Sequence, residues 1–318
     1  MIFNTKMINR YSINYKPLLL TILLLSIFIS AQPQQPATKN KEIDFVSDTQ
    51  QPLTIEKIKL KSNHNTRATS LIFSEILKNN PAALYMLGDI VGLGSSNRKW
   101  RTVDKFIDSC HIEKIDIHAL LGNHDVMWTR KKGEKNFSKR FPLDHKLGYT
   151  IITDSVAVVM LNSNFKKLNE DEIKSQSEWY KSELRKLDTS NEAKMIIVCC
   201  HHAPYTNSLI VGSSKPVQQY FVQDFLQTKK CKLFITGHAH AFEHFKISEK
   251  DFLTIGGGGG LHQPLDTSAN KIPELASTYK PMFHYLSMQR NGSRLFITSH
   301  FLNSDFSGFQ NGYSFEIK

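Results

Sequence analysis

Leu120-Leu121-Gly122-Asn123-His124-Asp125 is an apolar pair that runs through one glycine into an amide, an imidazole and a carboxylate. Four other stretches share this grammar. Phe45-Val46-Ser47 runs into Asp48-Thr49-Gln50, and Tyr85-Met86-Leu87 into Gly88-Asp89. Val198-Cys199-Cys200 runs into His201-His202-Ala203-Pro204, and Ile235-Thr236 into Gly237-His238-Ala239-His240. The apolar runs at 43–47, 84–87, 117–121, 156–161, 195–200 and 233–236 have the length and composition of buried strands. Between them, Phe73, Ile76 and Leu77, and then Tyr180, Leu184 and Leu187, fit helical faces. Strands alternating with helices predict an α/β fold whose strands are largely buried on both sides. Ligands of open α/β sheets bind beyond the carboxyl ends of the strands, so the five polar loops are expected to converge on one crevice.

Outside these blocks the 318-residue chain divides simply. Residues 1–31 hold Lys6, Arg10 and Lys16, no acidic residue, and the apolar run Leu18 to Ile29 before Ser30-Ala31. That order is a secretory signal peptide, and it predicts a periplasmic or extracellular location. The alternative is an uncleaved membrane anchor over 17–31; a cleaved signal leaves no stable membrane insertion. Residues 32–41 (QPQQPATKNK) read as a polar linker. No second linker or repeat follows, so 42–318 is read as one domain. From His284 onward, strand-like segments flank turn signals at Asn291-Gly292 and Asn311-Gly312, which predicts an antiparallel edge. Four cysteines exclude a disulfide-built miniprotein; Cys199 and Cys200 read as strand residues, and Cys110 and Cys231 could form a bridge.

The net charge of +11 invites a nucleic-acid reading. Three of those charges lie in the leader, and no zinc-finger or aromatic-basic RNA-recognition pattern is present, so no nucleic-acid partner is expected. Another share lies in Arg130-Lys131-Lys132, Lys135, Lys139 and Arg140. That stretch is either a solvated surface or a funnel for an anionic substrate.

Each polar block is weak alone. A Gly-Asp after a strand is most often a turn, and a His-x-His pair most often two surface rings. All five blocks in this order, each after a strand, form a set of hard and borderline metal ligands. Together they resemble the signature of the calcineurin-like metallophosphoesterases, from about Ile43 to the Gly-rich segment near Gly260.

The resemblance implies an αββα sandwich of two mixed sheets with a two-metal site at the strand ends. It places one divalent ion on Asp48, Gln50, Asp89 and His240, and the other on Asp89, Asn123, His201 and His238. It implies hydrolysis of a phosphate mono- or diester, or a diphosphate, by a dimetal-bound hydroxide, in a small phosphorylated substrate. His124 then stabilises the transition state or protonates the leaving oxygen. His201 and His202 compete for one ligand role; Tyr205 favours His201, with His202 and Asp125 supporting it and His262 as a substrate contact.

Two departures qualify the resemblance. Gln50 stands where the family usually has His, and its harder amide oxygen favours Mn²⁺, Fe or Mg²⁺, with Zn²⁺ as the lesser option. Branches that cleave nucleotide diphosphate linkages resemble this Asp-x-Gln form. If Gln50 coordinates nothing, the chain is a catalytically weak or silent metal-binding module of the same fold. The segment 237–243 also resembles the purple acid phosphatases, but their ligating Tyr falls at Gly92, so a tyrosinate-bound iron is not expected. The run Gly256 to Gly260 lacks the Lys-Ser/Thr of a P-loop and reads as a flexible active-site loop. Oligomeric state is not legible.

Overall fold

Alternation along the strands sorts the apolar side chains into three layers. The computed structural model describes residues 42–58, 60–142 and 147–318, so the leader and linker lie outside it. In β1 (Ile43–Val46), Ile43 and Phe45 point into a central layer and Val46 points away from it. In β2 (Ala83–Met86), Ala83 and Tyr85 share that central layer, while Leu84 and Met86 join Val46. The same split recurs in β5 (Val156–Leu161) and β6 (Met195–Cys200), where Val158, Ile197 and Cys199 face the centre. Their alternate residues, such as Val159 and Val198, face a third layer. A period of two with both faces apolar is what a covered sheet requires.

The first sheet has the order β12-β11-β10-β1-β2-β3, with β3 at Asp116–Ala119, β10 at His284–Asn291, β11 at Arg294–Leu302 and β12 at Phe309–Ile317. The second has the order β4-β5-β6-β7-β9-β8, adding β4 (Gly148–Thr153), β7 (Cys231–Thr236), β8 (Phe242–Ile247) and β9 (Lys250–Ile255). Helices α1 (Asn65–Asn79) and α2 (Asn97–Ile112) cover the first sheet through Ile72, Ile76 and Trp100. The second sheet is covered by α4 (Glu170–Thr189) through Tyr180, Leu184 and Leu187, and by the helical stretch 215–227. The α4 start is fixed by a capping box between Asn169 and Glu172. The result is the expected αββα sandwich. No described helix is long and apolar enough to cross a membrane.

Strands β1, β2 and β3 run parallel, as do β5, β6, β7 and β9. The five polar loops leave the carboxyl ends of β1, β2, β3, β6 and β7.

Three expectations are corrected. Asn311-Gly312 is no turn: it lies inside β12, paired with β11 on both sides, and the reversal falls at 303–308, where Asn303 N donates to Gly308 O. The Asn-Gly signal coincides there with a shift of register opposite Thr298 to His300, a bulge within the strand and not its end. The five glycines are buried rather than a mobile loop. Gly258 N donates to Ser47 O and Gly260 N to Asp48 O, at 2.9 and 2.8 Å, tying the β9 end to the β1 end. A Cβ at Gly260 would sit 2.4 Å from the His240 ring, so the residue is small because the ring packs on it. Cys110 lies in the α2 layer and Cys231 in the opposite outer layer, so all four cysteines are free and buried. The basic stretch forms α3 (Arg130–Ser138), and its two arginines are occupied: Arg130 by Glu134 and Glu172, Arg140 by Asp104.

Candidate metal centre

Three of the site residues sit in left-handed backbone at the ends of their strands: Asp48 (φ 60°), Asp89 (φ 48°) and His238 (φ 67°). Such turns cost about 1–3 kcal/mol each and persist where surrounding bonds over-determine them. Here Asp48 N donates to Gly88 O at 3.1 Å and Gln50 N to Asp89 O at 3.0 Å. Asp48 Oδ2 accepts from His238 N at 2.9 Å, across the two sheets.

Two groups of ligand atoms result, each gathered within 4.8 Å: Asp48, Asp89 and His240, and Asp89, His201 and His238. Asp89 belongs to both. In the first, His240 Nε2 lies 3.2 Å from Asp48 Oδ1, a buried oxygen that makes no hydrogen bond of good geometry. Gln50 completes it. Two main-chain carbonyls, of Asp48 and Asp89, accept from its NH₂ at 3.1 and 3.0 Å, which turns the amide oxygen towards His240 Nε2 at 3.2 Å. In the second, His201 Nε2 is 3.3 Å from Asp89 Oδ2 and 3.2 Å from Asn123 Oδ1.

The rings are oriented from behind. His201 Nδ1 bonds the Leu87 carbonyl at 3.0 Å and His240 Nδ1 the Leu261 carbonyl at 2.7 Å, so each presents Nε2 to the carboxylates. That is how imidazole is prepared as a metal ligand. His202 is set apart: its Nδ1 faces Ser163 Oγ at 2.8 Å, and its ring packs on His238 at 4.4 Å.

His124 lies beside the Asp89 carboxylate. Its main-chain N donates to Asp89 Oδ1 at 2.7 Å, its Nδ1 faces Gly92 O at 3.2 Å, and its Nε2 is 3.9 Å from Asp89 Oδ2. Asp125 belongs to neither ligand group. Its carboxylate accepts from Ile90 N, Val91 N and Gly122 N, clamping the β2 and β3 loops together. Gly122 is needed at this seam, because a Cβ there would lie 2.0 Å from Asp89 N. His262 is half-buried next to His240, with an unpartnered Nδ1, and no described contact ties it to the carboxylates.

The electrostatics follow this layout. Burial opposes charge on Asp89, but His201 and His124 outweigh it and hold the carboxyl far below its usual range. Asp48 is lowered in the same way, by His201 and His240. Burial also opposes charge on His201, yet Asp89 and Asp48 raise it to about 9. His238 is pushed well below 6.5 by burial and by the neighbouring His202 and His201. Burial, with Asp89 nearby, raises Asp125 to about 7.

The sequence matches the model of the family described as "Calcineurin-like phosphoesterase" over residues 41–242. The chain belongs to that family. That family is one of metal-dependent phosphoesterases, hydrolases that act on phosphate ester bonds. The donor set fits divalent ions: two carboxylates, three imidazoles and two amide oxygens, with one orphaned buried carboxylate oxygen, converge on two points that share Asp89. Among solved structures, the chain is similar to a purple acid phosphatase from yellow lupin (Lupinus luteus) seeds, at 14% identity and TM-score 0.62. The match covers 86% of this chain and 53% of that one, so the chain spans about half the length of the lupin enzyme. It is also similar to GAP50 of Plasmodium, described as the anchor in the inner membrane complex, at 15% identity and TM-score 0.61, covering 87% and 88% of the two chains. A dimetal phosphatase from Danio rerio matches at 13% identity and TM-score 0.51, covering 87% and 98%. Phosphatases and an anchor share this fold, so the fold alone does not fix activity.

Two participants escape a reading of the sequence. Glu56, in a short 3₁₀ turn, places Oε1 3.5 Å from His124 Nε2, and its segment carries no periodicity that would mark it. Ser163 follows β5, a sixth strand parallel to its neighbour, so its loop could have been added to the five by the same strand-end rule.

Proposed function

We propose that the chain is a competent phosphoesterase hydrolysing phosphate mono- or diesters, or diphosphates. Asp48, Gln50, Asp89 and His240 hold one divalent ion, and Asp89, Asn123, His201 and His238 hold the other. The observation that carries this reading is the sharing of Asp89 between two convergent ligand groups. When bound, such a pair acidifies a water and neutralises phosphoryl charge. The protein's residues do the rest. The carbonyls of Leu87 and Leu261 keep two rings aimed, and Asp125 holds the β2 and β3 loops in register. His124 passes a proton from Nε2 to the leaving oxygen, because its other ring nitrogen is engaged by Gly92 O. The amide oxygen of Gln50 favours Mn²⁺, Fe or Mg²⁺ over Zn²⁺. Export through residues 1–31 belongs to the same proposal, and N-terminal sequencing of the mature protein tests it.

The test is metal content beside turnover. Mn²⁺-loaded protein should carry two ions per chain and hydrolyse 4-nitrophenyl phosphate, and His124→Ala should keep both ions while losing about 10²–10⁴-fold in rate. A protein with both ions that cleaves no monoester, diester or diphosphate would be the silent module, a reading favoured by the likeness to the Plasmodium anchor.

A further inference from the structure

Beside the second ligand group a cleft of about 640 Å³ opens between two loops, with Asn123 and His238 in its lining. One wall is the segment after β5, bearing Lys166 and Lys167, and the other is the 211–216 segment, bearing Lys215. None of the fourteen lining residues is acidic. The three lysines are exposed, and none has an ion pair among the described residues. Glu172, in the acidic first turn of the adjacent α4, is taken up by Arg130.

Both walls are braced. On one side, Asn164 is buried and donates to Leu121 O at 2.8 Å, Lys167 N donates to Asn164 O at 2.7 Å, and Phe165 stacks on Tyr220 at 5.1 Å. On the other, Ser214 N donates to Ala203 O at 2.8 Å and its hydroxyl caps Val217 N. The ammonium groups thus ride on fixed backbone, which lowers the ordering cost of binding. Unpaired cations on a braced wall, next to the candidate metal centre, give this cleft a positive potential that favours an anion.

We propose that this cleft binds a second phosphate of the substrate, so that the preferred substrates are doubly phosphorylated compounds, with one phosphate at the metal centre and the other at Lys166, Lys167 and Lys215. This rests on the phosphoesterase reading and narrows it. A neutral alcohol portion would gain nothing from the three ammonium groups, whereas a phosphate dianion can draw on them. The preference should weaken as salt rises, because the ammonium groups are solvent-exposed.

The experiment uses the Mn²⁺-loaded full chain and matched mono- and bisphosphates of ethanediol and hexanediol. The expected result is a bisphosphate preference in kcat/KM of about tenfold for at least one spacer, carried mainly by KM and reduced to about one in Lys166→Ala/Lys167→Ala/Lys215→Ala. A control variant, Lys131→Ala/Lys132→Ala/Lys135→Ala, removes the same charge from α3 and should retain the preference. No preference in the wild type, or equal loss in both variants, would overturn the subsite. If the wild type cleaves none of the compounds, the hydrolase reading is what fails. Calorimetry with hexanediol bisphosphate then decides the cleft: tighter binding to the wild type than to the cleft variant supports it, and equal affinity overturns it.

Discussion

The two sheets contribute opposite chemistry to one centre. From the ends of β1, β2 and β3 come Asp48, Gln50, Asp89 and Asn123, all oxygen donors. From the ends of β6 and β7 come His201, His238 and His240, all nitrogen donors. The oxygen side is fixed by bonds between neighbouring strand loops, such as Gln50 N to Asp89 O. The imidazole side is fixed by carbonyls behind the rings, and one of these, Leu87 O, belongs to the first sheet. Neither half is a metal site by itself. The seam between the sheets is where negative and neutral donors meet, and bound ions would tie the halves together.

Removing the shared residue should do most damage to that arrangement. Asp89→Ala deletes a donor from both groups and a buried acceptor from His124 N. Two ions per chain should fall to one or none, with a loss of at least about 10³-fold in kcat. Retention of both ions by this variant would show that the halves do not meet through Asp89. His201→Ala and His202→Ala separate the imidazole side further: the first should lose the second ion, and the second should keep it.

Asp125 tests the rigidity of the oxygen side without touching a ligand. Asp125→Ala leaves the buried N–H groups of Ile90, Val91 and Gly122 without an acceptor, at about 1–3 kcal/mol each. Thermal unfolding of the metal-free protein should reveal a loss of about 3 kcal/mol or more. An unchanged melting temperature would mean that the clamp is dispensable.

The same comparison explains what the sequence discloses. The oxygen and nitrogen donors were legible because each follows a largely apolar run, and parallel strands gather such ends on one edge. His201 could not be separated from His202 by spacing, since the choice depends on which ring the Leu87 carbonyl reaches and which one Ser163 reaches. The glycine run misled for a related reason. Its composition allows flexibility, but its amides are spent on Ser47 and Asp48, partners some two hundred positions away. Strands β4 and β8 went unread because polar residues interrupt both, Thr150 in one and Glu243 and His244 in the other, and neither runs into one of the five polar blocks.

The charge contrast between the halves predicts a pH dependence. His201 stands at about 9 because two carboxylates face it, so at neutral pH it holds a proton that a metal must displace. The sign is therefore fixed: apparent metal affinity rises with pH up to about 9 and then levels, by up to about tenfold per unit. Calorimetry near pH 7 in buffers of different ionisation enthalpy should detect proton release. Affinity that is flat from pH 6 to 9 would mean that metal binding displaces no proton from His201.

The subtlest probe exchanges a donor of one type for the other. The Gln50 oxygen lies as close to His240 as Asp48 does, at 3.2 Å, and its NH₂ is spent on the carbonyls of Asp48 and Asp89, which leaves that oxygen free to face an ion. Gln50→His would put an imidazole on the oxygen side, softening the first site while leaving two carbonyls short of a donor. Some activity should be lost, but the ratio of Zn²⁺-supported to Mn²⁺-supported turnover should rise by about tenfold, because imidazole suits Zn²⁺ better than an amide does. Gln50→Ala, which removes the oxygen without replacing it, should weaken the first ion with little change in that ratio. Equal ratios in all three proteins would mean that Gln50 only braces the Asp48 and Asp89 loops, and the first ion would then rest on Asp48, Asp89 and His240 alone.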